Sequence, residues 1–213
     1  MAFPTIVSSS GMQSSGTTSP HSAAIPSPCN SGNLIVILVA IPNSTSISTP
    51  TGFSQVYEGS VLSGHRFAVF KKISDGTEGG TNVSFTGGAI RSHNAVYVLG
   101  NISGAVEIST ATAYSEFPNP PSITPTWTVD TLYLAFCSDL YGISNPSAAP
   151  SGYSGYSELE SGSAIDSAVA YKTGSGTEDP GTFTAGAAAS WMAATIAIKS
   201  ATAANNLFFG SNF

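Results

Sequence analysis

The sequence predicts an all-β chain, a single β-sandwich assembled from two internal repeats of about 100 residues, and three observations lead there. Pro50-Thr51-Gly52-Phe53 returns as Pro150-Ser151-Gly152-Tyr153, Ala68-Val69 as Ala168-Val169, Lys72 as Lys172 and Gly76-Thr77-Glu78 as Gly176-Thr177-Glu178, every pair separated by 100 positions. No stretch sustains the i, i+3, i+4, i+7 apolar stripe of an amphipathic helix. Two copies are too few for a solenoid, which needs several units to bury a continuous core. The pair is therefore expected to close on itself as one sandwich over residues 1–200, with repeat one at 5–102, repeat two at 106–200 and a tail at 201–213.

Each element follows from local pattern. Phe3 to Ser9 reads as an entering strand, matched in repeat two by Val106 to Ala113, and the Ser-, Gly- and Thr-rich stretch Ser8 to Ser22 reads as a loop. Leu34 to Ile41 is a continuous apolar run between Gly32 and Pro42, the pattern of a strand buried on both faces. Its counterpart alternates Leu132, Leu134 and Phe136 with Thr131, Tyr133 and Ala135, as a half-exposed strand does. Phe53 to Glu58 and Tyr153 to Leu159 follow Pro-x-Gly-aromatic turns in which glycine supplies positive φ. Arg66 to Lys72 and Ser167 to Lys172 lead into the Gly-Thr-Glu loops. Val83 to Thr86 and Thr182 to Ala185 read as short strands, and His93 to Leu99 and Met192 to Lys199 close the repeats. The Ala-rich segment Ala185 to Ala194 has helical propensity, but its repeat partner carries Gly87-Gly88, so a loop entering a strand is expected.

Composition narrows the function. Charged residues make up only 8 % of the chain, against about 25 % in an average globular protein, and a surface so poor in charge is weakly protected against association. A formal net charge of −6 with six scattered Lys and Arg argues against nucleic acid as a partner. No signal-like segment precedes Leu34, and an apolar run of eight residues is too short to span a bilayer, so a soluble chain without membrane contact is expected. Cys29 and Cys137 lie in related parts of the repeats and read as reduced, partly buried thiols, with a bridge as the alternative.

Chemistry-bearing patterns are missing, and no enzyme, cofactor or metal is expected. There is no G-x-S-x-G elbow, and His21, His65 and His93 have no partner pattern; His65 and His93 are expected as surface or interface groups. Glu158 and Glu160 would share a strand face, but Ser60 breaks the pair in repeat one, so they read as edge charge. No H-x-x-x-H or C-x-x-C occurs, and sequons at Asn43, Asn82 and Asn101 carry no weight in a chain so rich in Ser and Thr. What remains is contact chemistry. Tyr141, Tyr153, Tyr156 and Trp127 sit in or beside expected loops and suit glycan or protein contact, with core packing the alternative for Tyr153. The uncharged tail carries Leu207, Phe208, Phe209 and Phe213, apolar area that a free tail in water would not usually hold.

The duplicated layout resembles virion proteins of tailed bacteriophages. The residues that carry the resemblance are Asn33 to Val39, Thr49-Pro50-Thr51-Gly52-Phe53, Ala68-Val69-Phe70-Lys71 and Ser84-Phe85-Thr86. It covers about residues 5–200 and specifies no chemistry. It implies a jelly-roll-like sandwich serving as a capsid decoration (cement) protein, often a homotrimer, or as a tail-fibre module contacting cell-surface glycans. The expectation is a homo-oligomer in the virion, made in the host cytoplasm and bound to the major capsid protein. Leu207, Phe208, Phe209, Phe213, Val36, Tyr153 and Tyr156 are the expected contact residues; Val36 is included because the doubly apolar strand asks for a covering partner.

Overall fold

The computed structural model describes residues 2–42, 45–61, 64–140, 145–162 and 164–201. Its strands are β1 (Thr5–Ser15), β2 (His21–Ala24), β3 (Leu34–Ile41), β4 (Ser54–Val61), β5 (His65–Ile73), β6 (Asn82–Phe85), β7 (Ser92–Gly100), β8 (Ile102–Ser115), β9 (Thr131–Leu140), β10 (Ser154–Glu160), β11 (Ile165–Gly174) and β12 (Ala189–Ser200). They form two antiparallel five-stranded sheets, ordered β1-β7-β3-β5-β4 and β10-β11-β9-β12-β8, plus a small β2-β6 pair. The all-β sandwich of two similar halves is thus what the chain forms. The resemblance implied a jelly-roll-like arrangement; here the strands of each repeat stay together in one sheet, and the chain passes between the sheets at Asn101, from β7 into β8.

Period-two alternation explains why the sheets stack. Leu34, Val36, Leu38 and Ala40 point one way from β3, and with Phe67, Val69, Ala95, Tyr97 and Leu99 they meet Leu132, Leu134, Phe136, Ile165, Val169, Met192, Ala194, Ile196 and Ile198 of the other sheet. Phe67 and Phe136 stack across this layer with ring centroids 4.7 Å apart. The opposite faces are covered by segments of the same repeat, the β2-β6 pair and its loops in the first and loops in the second. Ile35, Ile37, Val39 and Ile41 pack under Ala23, Ile25, Ile47 and Phe85, while Ala135, Cys137 and Ala168 pack under Phe183, and Tyr133 and Ala197 under Ile123 and Trp127.

Several expectations are corrected. The residues Ser8–Ser15 are not loop but the second half of β1, and His21–Ser22 open β2; two register shifts in β1 absorb the Ser- and Gly-rich stretch. Strand β9 is buried on both faces, like β3, because the 123–129 segment and Phe183 roof its outer side. Thr182 to Ala185 contributes only an isolated bridge, Ala148 to Thr184. The doubly apolar β3 needs no external cover, since its own repeat supplies it. Cys29 and Cys137 are free thiols buried beneath opposite outer faces, which leaves no route to a bridge.

The repeated sequence marks turn out to be structural. Gly52 and Gly152 take φ of 81° and 80°, and the aromatic after each donates its N–H to the proline carbonyl three residues back. In the Gly-Thr-Glu loops the buried Glu78 and Glu178 pair with Lys72 and Lys172 at 2.5 and 2.9 Å. Burial pushes the Glu78 carboxyl up, but hydrogen bonds from Lys72, Ser74 and backbone N–H groups outweigh it and hold the group at about 2.

Phe136→Ala removes one half of the central stack. It should lower unfolding stability by about 3–5 kcal/mol, measured by denaturant titration, with both sheets still lost in a single transition.

Candidate functional site

Among the described residues a cluster of polar side chains enters the shared core at one end. His65 on β5 and His93 on β7 project from the first sheet toward Ser138 on β9 and Ser167 on β11 of the second. His65 Nε2 is hydrogen-bonded to Ser138 Oγ at 3.2 Å, Ser167 Oγ donates to Ser138 Oγ at 3.0 Å, and His93 Nδ1 is bonded to Ser167 Oγ at 3.2 Å. The four groups make one chain of bonds that ties sheet to sheet. This corrects the expectation of surface histidines: His65 and His93 are 1 % and 0 % exposed. Burial lowers their pKa to about 3 and about 4, helped by their neighbours His93 and Arg91 respectively. Serine beside histidine is a nucleophile's pairing, yet these hydroxyls are sealed from solvent, and the arrangement acts as a polar fastener.

Behind the same rungs, Asp139 and Asp166 face each other across β9 and β11, both buried. Burial, then the Asp139 charge, pushes Asp166 up to about 6, although its carboxylate accepts N–H groups of Asn145 and Ser161. Among the described residues no group of three or more His, Cys, Asp or Glu is placed to hold a metal ion.

The expected contact residues are dispersed. Val36 lies in the shared core with 0 % exposure, so its assignment as a contact is corrected: it faces the other sheet, not a partner. Tyr153 and Tyr156 are half-buried against the outer cluster of the second sheet. The Tyr153 hydroxyl donates to Glu178 and that of Tyr156 to the Pro146 carbonyl, so both polar ends are used internally. Trp127 is buried and donates its indole N–H to Thr131 Oγ1. Tyr141, Asn43 and the tail residues Leu207, Phe208, Phe209 and Phe213 lie outside the described residues.

A different surface carries the exposed apolar groups. Among the described residues the exposed large hydrophobics are Phe3, Ile73, Tyr114 and Phe117, and all four flank β8. Phe3 and Ala2 give their carbonyls to the Asn101 side chain at the head of the strand, and Ile73 lies against Gly104. Tyr114 belongs to its far end and Phe117 follows two residues after it. Edge strands usually carry bulges or charges that block further pairing. All four edge strands carry a register shift, but in β8 it lies at the head of the strand, between Ile102 and Val106, and the pairing with β12 then runs without a break from Val106 to Ser115. Its single charge, Glu107, accepts the backbone N–H of Thr126. Between β8 and β4 opens a cleft of about 510 Å3 lined by Val56, residues 106–109 and residues 122–124. The sequence signal was present: fourteen residues of strand-forming composition with one charge. What hid it is that nothing local distinguishes an edge from a centre strand.

Comparison of the chain with protein-family models, with curated proteins and with solved structures found no match.

Both histidines are held neutral when folded, so between pH 6.5 and about 4 the unfolded chain binds protons that the native chain does not. Stability is complete above pH 6.5 and falls on acidification, by about 2 kcal/mol for His65 between pH 7 and 5. Asp166 has the opposite sign, its contribution being retained at low pH and lost as pH rises through about 6, and it partly offsets the loss. Thermal melts should show a shallower acid dependence in His65→Gln and a steeper one in Asp166→Asn.

Proposed function

We propose that the chain is a structural virion protein of a tailed phage, and within that class a capsid decoration protein that binds between major capsid subunits as a homo-oligomer, with the trimer favoured. The observation that carries this reading is the β8 edge, where a nearly uncharged strand, paired without a break from Val106 to Ser115, is bracketed by the exposed Phe3, Ile73, Tyr114 and Phe117. Such a surface is suited to burial against protein neighbours. The 8 % charge content supports the same assignment, because a protein that spends its life packed in a shell has little use for charge repulsion between copies. The resemblance in layout to tailed-phage virion proteins supplies the virion setting. Glycan contact through Tyr153, Tyr156 and Trp127 finds less support, as all three have their polar atoms engaged within the fold.

Quantitative mass spectrometry of purified particles separates the two virion locations: hundreds of copies indicate the shell, about a dozen the tail. The double variant Tyr114→Asp, Phe117→Asp should keep the wild-type melting curve and lose at least about tenfold in capsid co-sedimentation. Unchanged co-sedimentation would remove the β8 edge from the capsid contact.

A further inference from the structure

The internal duplication provides a control for the cleft between β4 and β8, because repeat symmetry makes the seam between β1 and β10 its equivalent. That second seam is closed. Met12 donates its backbone N–H to Ser157 Oγ at 2.9 Å, and β1 can come this close because Gly11 (φ 64°) has no Cβ, which would lie 2.8 Å from the same hydroxyl. At the β4/β8 seam the bond among the described residues is from Lys71 Nζ of the neighbouring β5 to the Gly104 carbonyl near the head of β8, and beyond it the cleft opens beside the free edge of β8. Val56, Val106, Ile108 and Ile123 share its lining with Ser109, Ser122 and Thr124, and its one carboxylate, Glu107, is already bonded to Thr126. An uncharged apolar strand would complement both the wall and the unpaired edge.

The chain itself carries such a segment. β12 ends at Ser200, and the Ala201 N–H is bonded to the Asn101 carbonyl at the head of β8. The twelve residues 202–213 that follow contain no charge and include Leu207, Phe208, Phe209 and Phe213. Fully extended they reach about 40 Å, and pairing along the unbroken part of β8 from Val106 to Ser115 asks for about 30 Å. To lie on the free side of its own β8 the segment would have to cross the Gly100–Ile102 link at the same end of the sheet, and connections avoid such crossings. A segment arriving from another copy meets no such obstacle.

We propose that residues 202–213 of one copy add as a strand to the free edge of β8 in a second copy, with Phe208 turned into its β4/β8 cleft and Leu207 and Phe209 on the outer face, beside Ser109. Each copy then gives a tail and receives one, a head-to-tail contact that makes a ring where the rotation between copies closes. This rests on reading the β8 edge as an assembly surface, and it is independent of what the ring binds.

The test mixes two full-length chains of different size, one carrying Ser109→Cys on β8 and the other Ser211→Cys in the tail. The native thiols are buried and stay out of the reaction. Under mild oxidation the expected product is a disulfide joining the two sizes, lost when the tail chain also carries Phe208→Asp and Phe209→Asp, while circular dichroism stays unchanged. Light scattering should show wild type as an oligomer and the Asp variant as a monomer. No link between sizes, or an Asp variant that remains oligomeric, would overturn the proposal. Linked rings that fail to bind capsids would instead count against the capsid assignment alone.

Discussion

The structure depends on one apolar layer shared by two sheets that come from different repeats. Neither sheet can bury its inner face alone, and the Phe67–Phe136 stack at the centre of the layer exists only when both are present. Dispersion and the removal of apolar area from water therefore hold the repeats to each other. The outer faces add a second level. Each repeat roofs its own sheet, Phe85 plugging one and Phe183 the other, so the chain is layered as cover, sheet, sheet and cover.

Polar groups are used sparingly inside this scheme, and most are tied, His93 Nε2, Asn94 Oδ1 and Ser200 Oγ being the buried side-chain atoms without a partner among the described residues. Lys72–Glu78 and Lys172–Glu178 fasten the loop after β5 and after β11, at corresponding positions in the two sheets. The His65–Ser138–Ser167–His93 chain fastens the sheets at one end of the core, where neutral imidazoles replace apolar packing. Buried ionic groups are costly unless paired, and buried polar networks help only when their members find partners. Because so few charges remain outside, the character of the surface is set by Ser, Thr, Gly and a handful of exposed aromatics.

Much of the fold was legible because duplication repeats its own evidence. The two Pro-x-Gly-aromatic turns, the Lys and Glu of the clasps, β3 as a strand buried on both faces, and the Ala-rich approach to β12 all follow from residues whose local demands agree with the fold. The failures share a cause. Burial of β9 on its outer side, of His65 and His93, and of Val36 away from any partner depends on which loop lies across which face, which is a long-range fact that alternation along one strand does not contain. Ser8 to Ser15 misled because bulged edge strands tolerate Gly and Ser that regular strands disfavour. Tyr114 and Phe117 stood out only once β8 was seen to be an edge.

The central claim is that two repeats form one cooperative sandwich around a shared core. Native-state hydrogen exchange tests it most directly, by comparing amides in β3 with those in β9, the middle strands of the two sheets. A shared core predicts that both sets exchange through the same global opening, with equal free energies and equal denaturant dependence. A sheet whose amides open well below the other, while that other stays protected, would mean that each repeat holds itself together and would contradict the account.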